Sequence, residues 1–302
     1  MNQREKLDQL RGRNKHEDII FYSFKMNAKD HINDHEVRRL EHSIRSIREF
    51  NNEIPVYLFC DKPNLVPDNF KSEYSILLRP FVQGFDHHML SAWSIHRWYN
   101  LKSFERRDCN ILYVDSDTIF YDDVQSLFDT YCYYDVYGRE EFGFRYDPNI
   151  GGGKKVRDSL DKVDIAIYDL GGRGAIYKYC CGVMLLNNNV HNYIIQSLDE
   201  LTELMNDFKR KEQFYPIPNP RIVDQYAIWT ILSRLEIMGG LFACQDVTMG
   251  YKEQKHQEHF NPIVLHYTTK GEQELAKSDE KYNDLIRDVD ALGADIDPYS
   301  VA

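Results

Sequence analysis

The sequence contains no apolar run long enough to span a bilayer, so membrane insertion is not expected. It also contains no CxxC pair and no cysteine at zinc spacing from a histidine. Its six cysteines, Cys60, Cys109, Cys132, Cys180, Cys181 and Cys244, are scattered, which argues against a disulfide framework or a zinc module. They read as reduced, mostly buried thiols. The vicinal pair Cys180 and Cys181 reads as two small hydrophobes, with redox activity as the alternative. An excess of positive charge is absent as well: 37 Lys and Arg against 48 Asp and Glu leave a net charge of −11. That balance repels nucleic acid and anionic lipid at long range, so either partner would have to meet a local basic patch. Neither GxGxxG nor GxxxxGK[ST] occurs, so the glycines at 151–153, 171, 172 and 174 read as a flexible loop rather than a phosphate cradle. The charged first 17 residues lack the apolar centre of a signal peptide, and a cytoplasmic location is the expectation.

What is present is a globular composition, 42% hydrophobic and 13% aromatic over 302 residues, which is enough to bury a large core. Apolar runs alternate with amphipathic segments, the pattern of βα units and a largely parallel sheet. Strands are expected at 19–24, 54–60, 74–78 and 111–114. Between the first two, Val37, Leu40, Ile44, Ile47 and Phe50 recur at helical spacing. A helix is expected over 89–105, and polar, glycine-punctuated chain over 139–176. CGVMLLN (181–187) reads as a strand, 190–210 and 222–235 as helices, and IVLHY (263–267) as a late strand. The expected division is an N-terminal extension (1–17), one α/β catalytic domain (18–270) with a Rossmann-like, mostly parallel sheet flanked by helices, and an acidic C-terminal helix and tail (271–302).

The chemistry concentrates in ILYVDSDTIFYDDV, where a four-residue apolar strand ends in Asp115, Ser116 and Asp117. Side chains two apart on extended chain project to the same side, so both carboxylates can face one point. Open α/β sheets bind ligands at that edge of their strands. A Mg²⁺ or Mn²⁺ ion held by one or two carboxylates completes its shell with water and phosphate oxygens. In a chain this acidic a DxD triplet carries little weight alone, and an acidic turn capping a helix near Asp122 is the competing reading.

Four segments in order carry a more specific signal. ILYVDSDTIF, CGVMLLN, VDQYAIW and LHYTTKG together resemble GT-A glycosyltransferases, nearest the family 8 galactosyl-, glucosyl- and glycogenin-like type, over about residues 18–270. The resemblance implies that Asp115 and Asp117 bind the cation, with His266 as third protein ligand. A nitrogen donor favours Mn²⁺ over Mg²⁺. It places Asp224 and Gln225 beside the anomeric carbon of a nucleotide-sugar, with an N-cap role as the alternative for Asp224. It puts Arg97 near a donor-positioning arginine, the alternative being a helix-surface cation. Tyr22, Ser23 and Asn27 fall where the nucleoside binds, and Ser116 lies inside the metal-binding segment. Two departures stand out. Cys180 replaces the asparagine that begins the family's strand, and Lys270 lies out of register with the family's late lysine, though it could still meet a phosphate as a point charge.

The implied activity is metal-dependent, retaining transfer of a hexose from a UDP-sugar, UDP-glucose or UDP-galactose, to an acceptor that the sequence does not identify. The alternatives are a relative that binds nucleotide-sugar without transferring it, and an aspartate-nucleophile phosphatase. The phosphatase fits poorly, because Ile119 stands where that class has Thr or Val. Lys154, Lys155, Arg157 and Arg173 would make 139–176 a cationic lid over the diphosphate, against the alternative of a static excursion with helices of its own.

Overall fold

The computed structural model describes residues 16–25, 34–66, 68–82, 92–140, 163–173, 178–211, 223–249 and 262–266. Strands β1 (Glu17–Phe24), β2 (Val56–Cys60) and β3 (Ile76–Pro80) run parallel, and β4 (Cys109–Val114) joins β1 in parallel on its other side. The order reverses at β1, with β2 and β3 to one side and β4 to the other. Such a switch point opens a crevice at the C-terminal strand ends. Further along the chain lie β5 (Thr118–Phe120), β6 (Val136–Glu140), β7 (Tyr179–Leu186) and β8 (Gly239–Leu241). β7 is antiparallel to β4 and β6, and β8 is parallel to β6, giving the order β3-β2-β1-β4-β7-β6-β8. A three-stranded sheet pairs β5 with β10 (Val264–His266) and β10 with β9 (Val247–Met249).

The central strands β1, β2, β4 and β7 are buried on both faces, which is why they read as continuous apolar runs, whereas the edge strand β3 is largely exposed. In β1, Ile19 and Phe21 enter one core while Ile20, Tyr22 and Phe24 enter the other. The first core packs under α3 (Ala92–Tyr99), α5 (His191–Gln196), α6 (Leu198–Lys211) and α7 (Val223–Arg234). The second packs under α1 (Asp34–Phe50), α2 (Asp68–Glu73) and α4 (Gln125–Thr130). On α1, Leu40, Ile44 and Ile47 are buried at the expected spacing, and the same face carries two serines. Ser46 accepts from Phe120 N at 3.0 Å, and Ser43 Oγ lies 2.8 Å from Thr118 Oγ1. These bonds fix β5, and with it the turn that precedes it, against α1.

β7 is irregular where it matters. Its pairing with β6 jumps from Gly138↔Met184 to Arg139↔Cys180. Tyr179 and Cys181 share a core with Met184 and Leu186, while Val183 and Leu185 face the opposite one, so the alternation changes phase across the bulge. A bulge leaves backbone groups outside the ladder, and buried ones need other partners. Here Gln225 Oε1 accepts from Cys181 N (2.9 Å), Arg97 Nη1 donates to Cys181 O (2.9 Å), and Trp229 Nε1 donates to Tyr179 O (3.0 Å).

The main strands and helices fall within a few residues of their sequence positions. The α/β class and the mostly parallel, helix-flanked sheet are as expected. β5, β6, β8 and β9 were not foreseen; β5, β8 and β9 have only three residues each, too few to establish a period of two. The chain after Asp122 becomes helical only at Gln125, whose N donates to Asp123 Oδ1 at 3.0 Å, so Asp123 serves that helix start. Part of the expected loop is ordered core: residues 163–169 are helical and bury Val163, Ala166 and Ile167. Gly171 there has φ +85°, and a Cβ at Gly172 would meet Ile167 Cγ2 at 2.6 Å. Lys154, Lys155 and Arg157 lie outside the described residues, as do Asn27, Lys270 and the tail 271–302.

Candidate metal and donor site

β4 delivers Asp115 directly off its last residue, where Asp115 N donates to Gly182 O at 2.8 Å. The turn that follows is closed by Thr118 Oγ1, which donates to Asp115 O at 2.9 Å. β5 then leaves Asp117 next to β10, because His266 pairs with Thr118 in the antiparallel register. His266 Nε2 lies 3.1 Å from Asp117 Oδ1 and 3.9 Å from Asp115 Oδ2. One ligand atom from each of the three residues falls within 4.8 Å of the others, an arrangement able to hold a metal ion. Two carboxylates and an imidazole are the donor chemistry that suits Mn²⁺, and also Mg²⁺ with a smaller share of nitrogen.

The floor of this site is Gly182. A Cβ there would stand 2.1 Å from His266 Cε1 and 2.6 Å from its Nε2, so the imidazole occupies the space that any other residue would fill. At the far edge of the ring, Nδ1 lies 3.7 Å from Cys180 Sγ. The departure at position 180 therefore places a thiol, 6% exposed, on the histidine. Cys181 faces the other core, its thiol donating to Tyr179 O, so the vicinal cysteines do not act as a facing pair.

Arg97 is 7% exposed, which removes the helix-surface reading. Its Nη1 stands 3.6 Å from Asp115 and its Nε 3.6 Å from Asp224, while the guanidinium lies over the Tyr113 ring at 5.0 Å. Burial alone would lower its pKa, but Tyr113, Asp115 and Asp224 hold it well above the ordinary value, so it is a fixed cation. Burial also pushes the Tyr113 hydroxyl far up, with Arg97 opposing the shift and Asp115 adding to it. The hydroxyl stays protonated and donates to Asp115 Oδ1. For Asp117 burial pulls upward, but His266 and Arg39 outweigh it and hold the carboxyl below its usual range. Arg39, on α1, is a neighbour that sequence reasoning missed, since nothing in the helical spacing distinguishes it from a solvated cation.

Asp224 lies in the first turn of α7, 2% exposed, and its Oδ2 faces Arg97 Nε at 3.6 Å but has no hydrogen-bond partner among the described residues. Gln225 is held through its carbonyl oxygen, and its Nε2 is buried with no hydrogen-bond partner among the described residues. These two atoms are the kind a bound ligand satisfies. Arg97 thus links the DSD turn to the Asp224-Gln225 helix start through charge. Ser116 lies in the turn between Asp115 and Asp117. One sequence expectation looks different here. Tyr22 is 1% exposed, with its hydroxyl 2.8 Å from Ser43 Oγ, so its side chain belongs to the core and offers no surface to a nucleoside. Ser23 Oγ accepts from Asn100 Nδ2 at 3.0 Å, which ties β1 to the chain after α3.

No family model and no curated protein matches the chain. Solved structures do. An active-site glutamine-to-glutamate mutant of LgtC aligns with TM-score 0.53 and 14% identity over 90% of this chain and 95% of that one. The apo form of the glycosyltransferase GlyE of Streptococcus pneumoniae aligns with TM-score 0.53 and 14% identity over 93% of this chain, which spans 64% of GlyE. Mouse xyloside xylosyltransferase 1 aligns with TM-score 0.51 and 11% identity over 83% of this chain and 98% of that one. The chain therefore has the GT-A glycosyltransferase fold, with a cluster of two aspartates and a histidine able to bind metal at the C-terminal end of β4.

Proposed function

We propose that the chain is a metal-dependent glycosyltransferase whose catalytic domain spans about 18–270. It moves a hexose from a UDP-sugar, UDP-glucose or UDP-galactose, to an acceptor with retention of configuration. The observation that carries this reading is the convergence of Asp115, Asp117 and His266 at the switch-point edge of a GT-A sheet. Mn²⁺, or Mg²⁺, held there would neutralise charge on the departing diphosphate. Asp115 is held in place by Tyr113, Arg97 and the Thr118 turn. Asp224 Oδ2 would accept from a sugar hydroxyl. Gln225, kept in place by Cys181 N, would present its amide to the sugar near the reacting carbon. An amide is a poor nucleophile, which favours electrostatic support of a short-lived cationic sugar over a covalent adduct. LgtC is known with an active-site glutamine changed to glutamate, a parallel in residue type for Gln225.

No described helix is long and apolar enough to cross a membrane, and all six thiols are free, which suits a cytoplasmic setting. The test is UDP release from UDP-glucose and UDP-galactose, with and without Mn²⁺. Mn²⁺-dependent release that disappears in Asp117→Asn supports the reading. Tight UDP-Mn²⁺ binding with no release against any acceptor supports the non-transferring alternative, which the thiol at position 180 favours.

A further inference from the structure

A neutral imidazole carries one proton, and a ring that ligates through Nε2 must carry it on Nδ1. The hydrogen bond made by the distal nitrogen fixes that choice and the ring's orientation. His266 is 4% exposed, so bulk water is not at hand to serve. Its Nδ1 faces Cys180 Sγ at 3.7 Å, and that sulfur is itself 6% exposed. Nε2 faces Asp117 and Asp115, and Gly182 closes the face of the ring. Both ring nitrogens and one face of the imidazole thus each meet a defined neighbour.

We propose that Cys180 is a positioning residue of the metal centre: its sulfur accepts the Nδ1 hydrogen of His266 and so holds the Nε2 lone pair toward the two carboxylates. The inference rests on the metal reading above. A thiol is a soft, weak acceptor, and the bulge in β7 is what aims it, since Cys181 beside it turns into the opposite core.

The test uses the full chain and Mn²⁺ itself, titrated calorimetrically into wild type, Cys180→Ala and Cys180→Ser. Losing an outer-shell partner costs about 10- to 100-fold in metal affinity, and that loss is expected for Cys180→Ala. Cys180→Ser keeps an acceptor in place and should recover most of it, with metal-free melting temperatures close to wild type for both. A second measurement avoids mutation. In protein labelled with ¹⁵N-histidine and loaded with diamagnetic Mg²⁺, His266 should show a protonated Nδ1 and an unprotonated Nε2. Wild-type Mn²⁺ affinity in Cys180→Ala, or an unprotonated Nδ1 in the loaded wild type, would overturn the proposal while leaving the metal site standing. Wild type that binds no Mn²⁺ would overturn the metal reading and this inference together.

Discussion

Gly182→Ala isolates the packing on which the candidate metal site depends. The new Cβ would lie 2.1 Å from His266 Cε1, and ordinary contact begins at 3.4 Å. The ring, or the strand beneath it, must therefore shift by about 1.3 Å, several times the ~0.2 Å tolerance of a metal-ligand distance. The ring is the softer partner, because Gly182 is anchored through its carbonyl to Asp115 N. Displacing one of three protein ligands should weaken Mn²⁺ by at least about 10-fold, or ~1.4 kcal/mol. Overpacking should also cost about 1–3 kcal/mol of stability. The assays are calorimetric titration of Mn²⁺ and urea unfolding without metal. The decisive variant is Gly182→Ala combined with His266→Ala. Removing the imidazole removes the clash, so the stability cost should vanish and the affinity should match His266→Ala alone, a strongly non-additive pair. Full additivity, or a Gly182→Ala protein that binds Mn²⁺ as wild type does, would refute the reasoning.

Asp115→Asn and Asp117→Asn should each abolish Mn²⁺-dependent UDP binding while the circular dichroism spectrum is retained, because neutral amides are weaker ligands for hard cations; unchanged UDP-Mn²⁺ affinity in both would remove them from the site. Arg97→Ala leaves Asp224 buried without its cation and should cost about 3–5 kcal/mol in chemical denaturation. A loss below ~1 kcal/mol would mean that the pair is not closely coupled in solution. His191 supplies a pH limb: burial lowers its pKa below 6.5, with the hydrogen bond to Phe104 O opposing. Its folded form stays neutral while the unfolded chain takes up a proton, so its contribution is complete above pH 6.5 and declines as pH falls below it. Unfolding free energy measured from pH 7.5 to 5 should fall less steeply in His191→Gln than in wild type.

The layers and the place of the candidate site are legible in the sequence alone. Strands buried on both faces must be continuously apolar, so β1, β2, β4 and β7 were legible as runs, and α1 as a stripe of Leu40, Ile44 and Ile47. Asp115 and Asp117 at the end of such a run allow a cation site, and the four ordered segments that resemble GT-A glycosyltransferases give that reading its weight. What surrounds the two aspartates depends on how distant segments pair. His266 is 149 residues from Asp117 and reaches it through the three-residue pairing of β5 with β10, a register that local periodicity does not encode. The phase change in β7 follows from a bulge, and that bulge sets Cys180 on His266, turns Cys181 away and recruits Gln225, Arg97 and Trp229 to its freed backbone groups. Tyr22 shows the converse. Its position on β1 suggested a ligand contact, but a strand buried on both faces turns alternate side chains inward, and its hydroxyl is bonded to Ser43 in the core. Apolar burial is additive along a segment and so is written locally, whereas a metal-binding cluster depends on pairings between distant segments that exist only once the chain has closed.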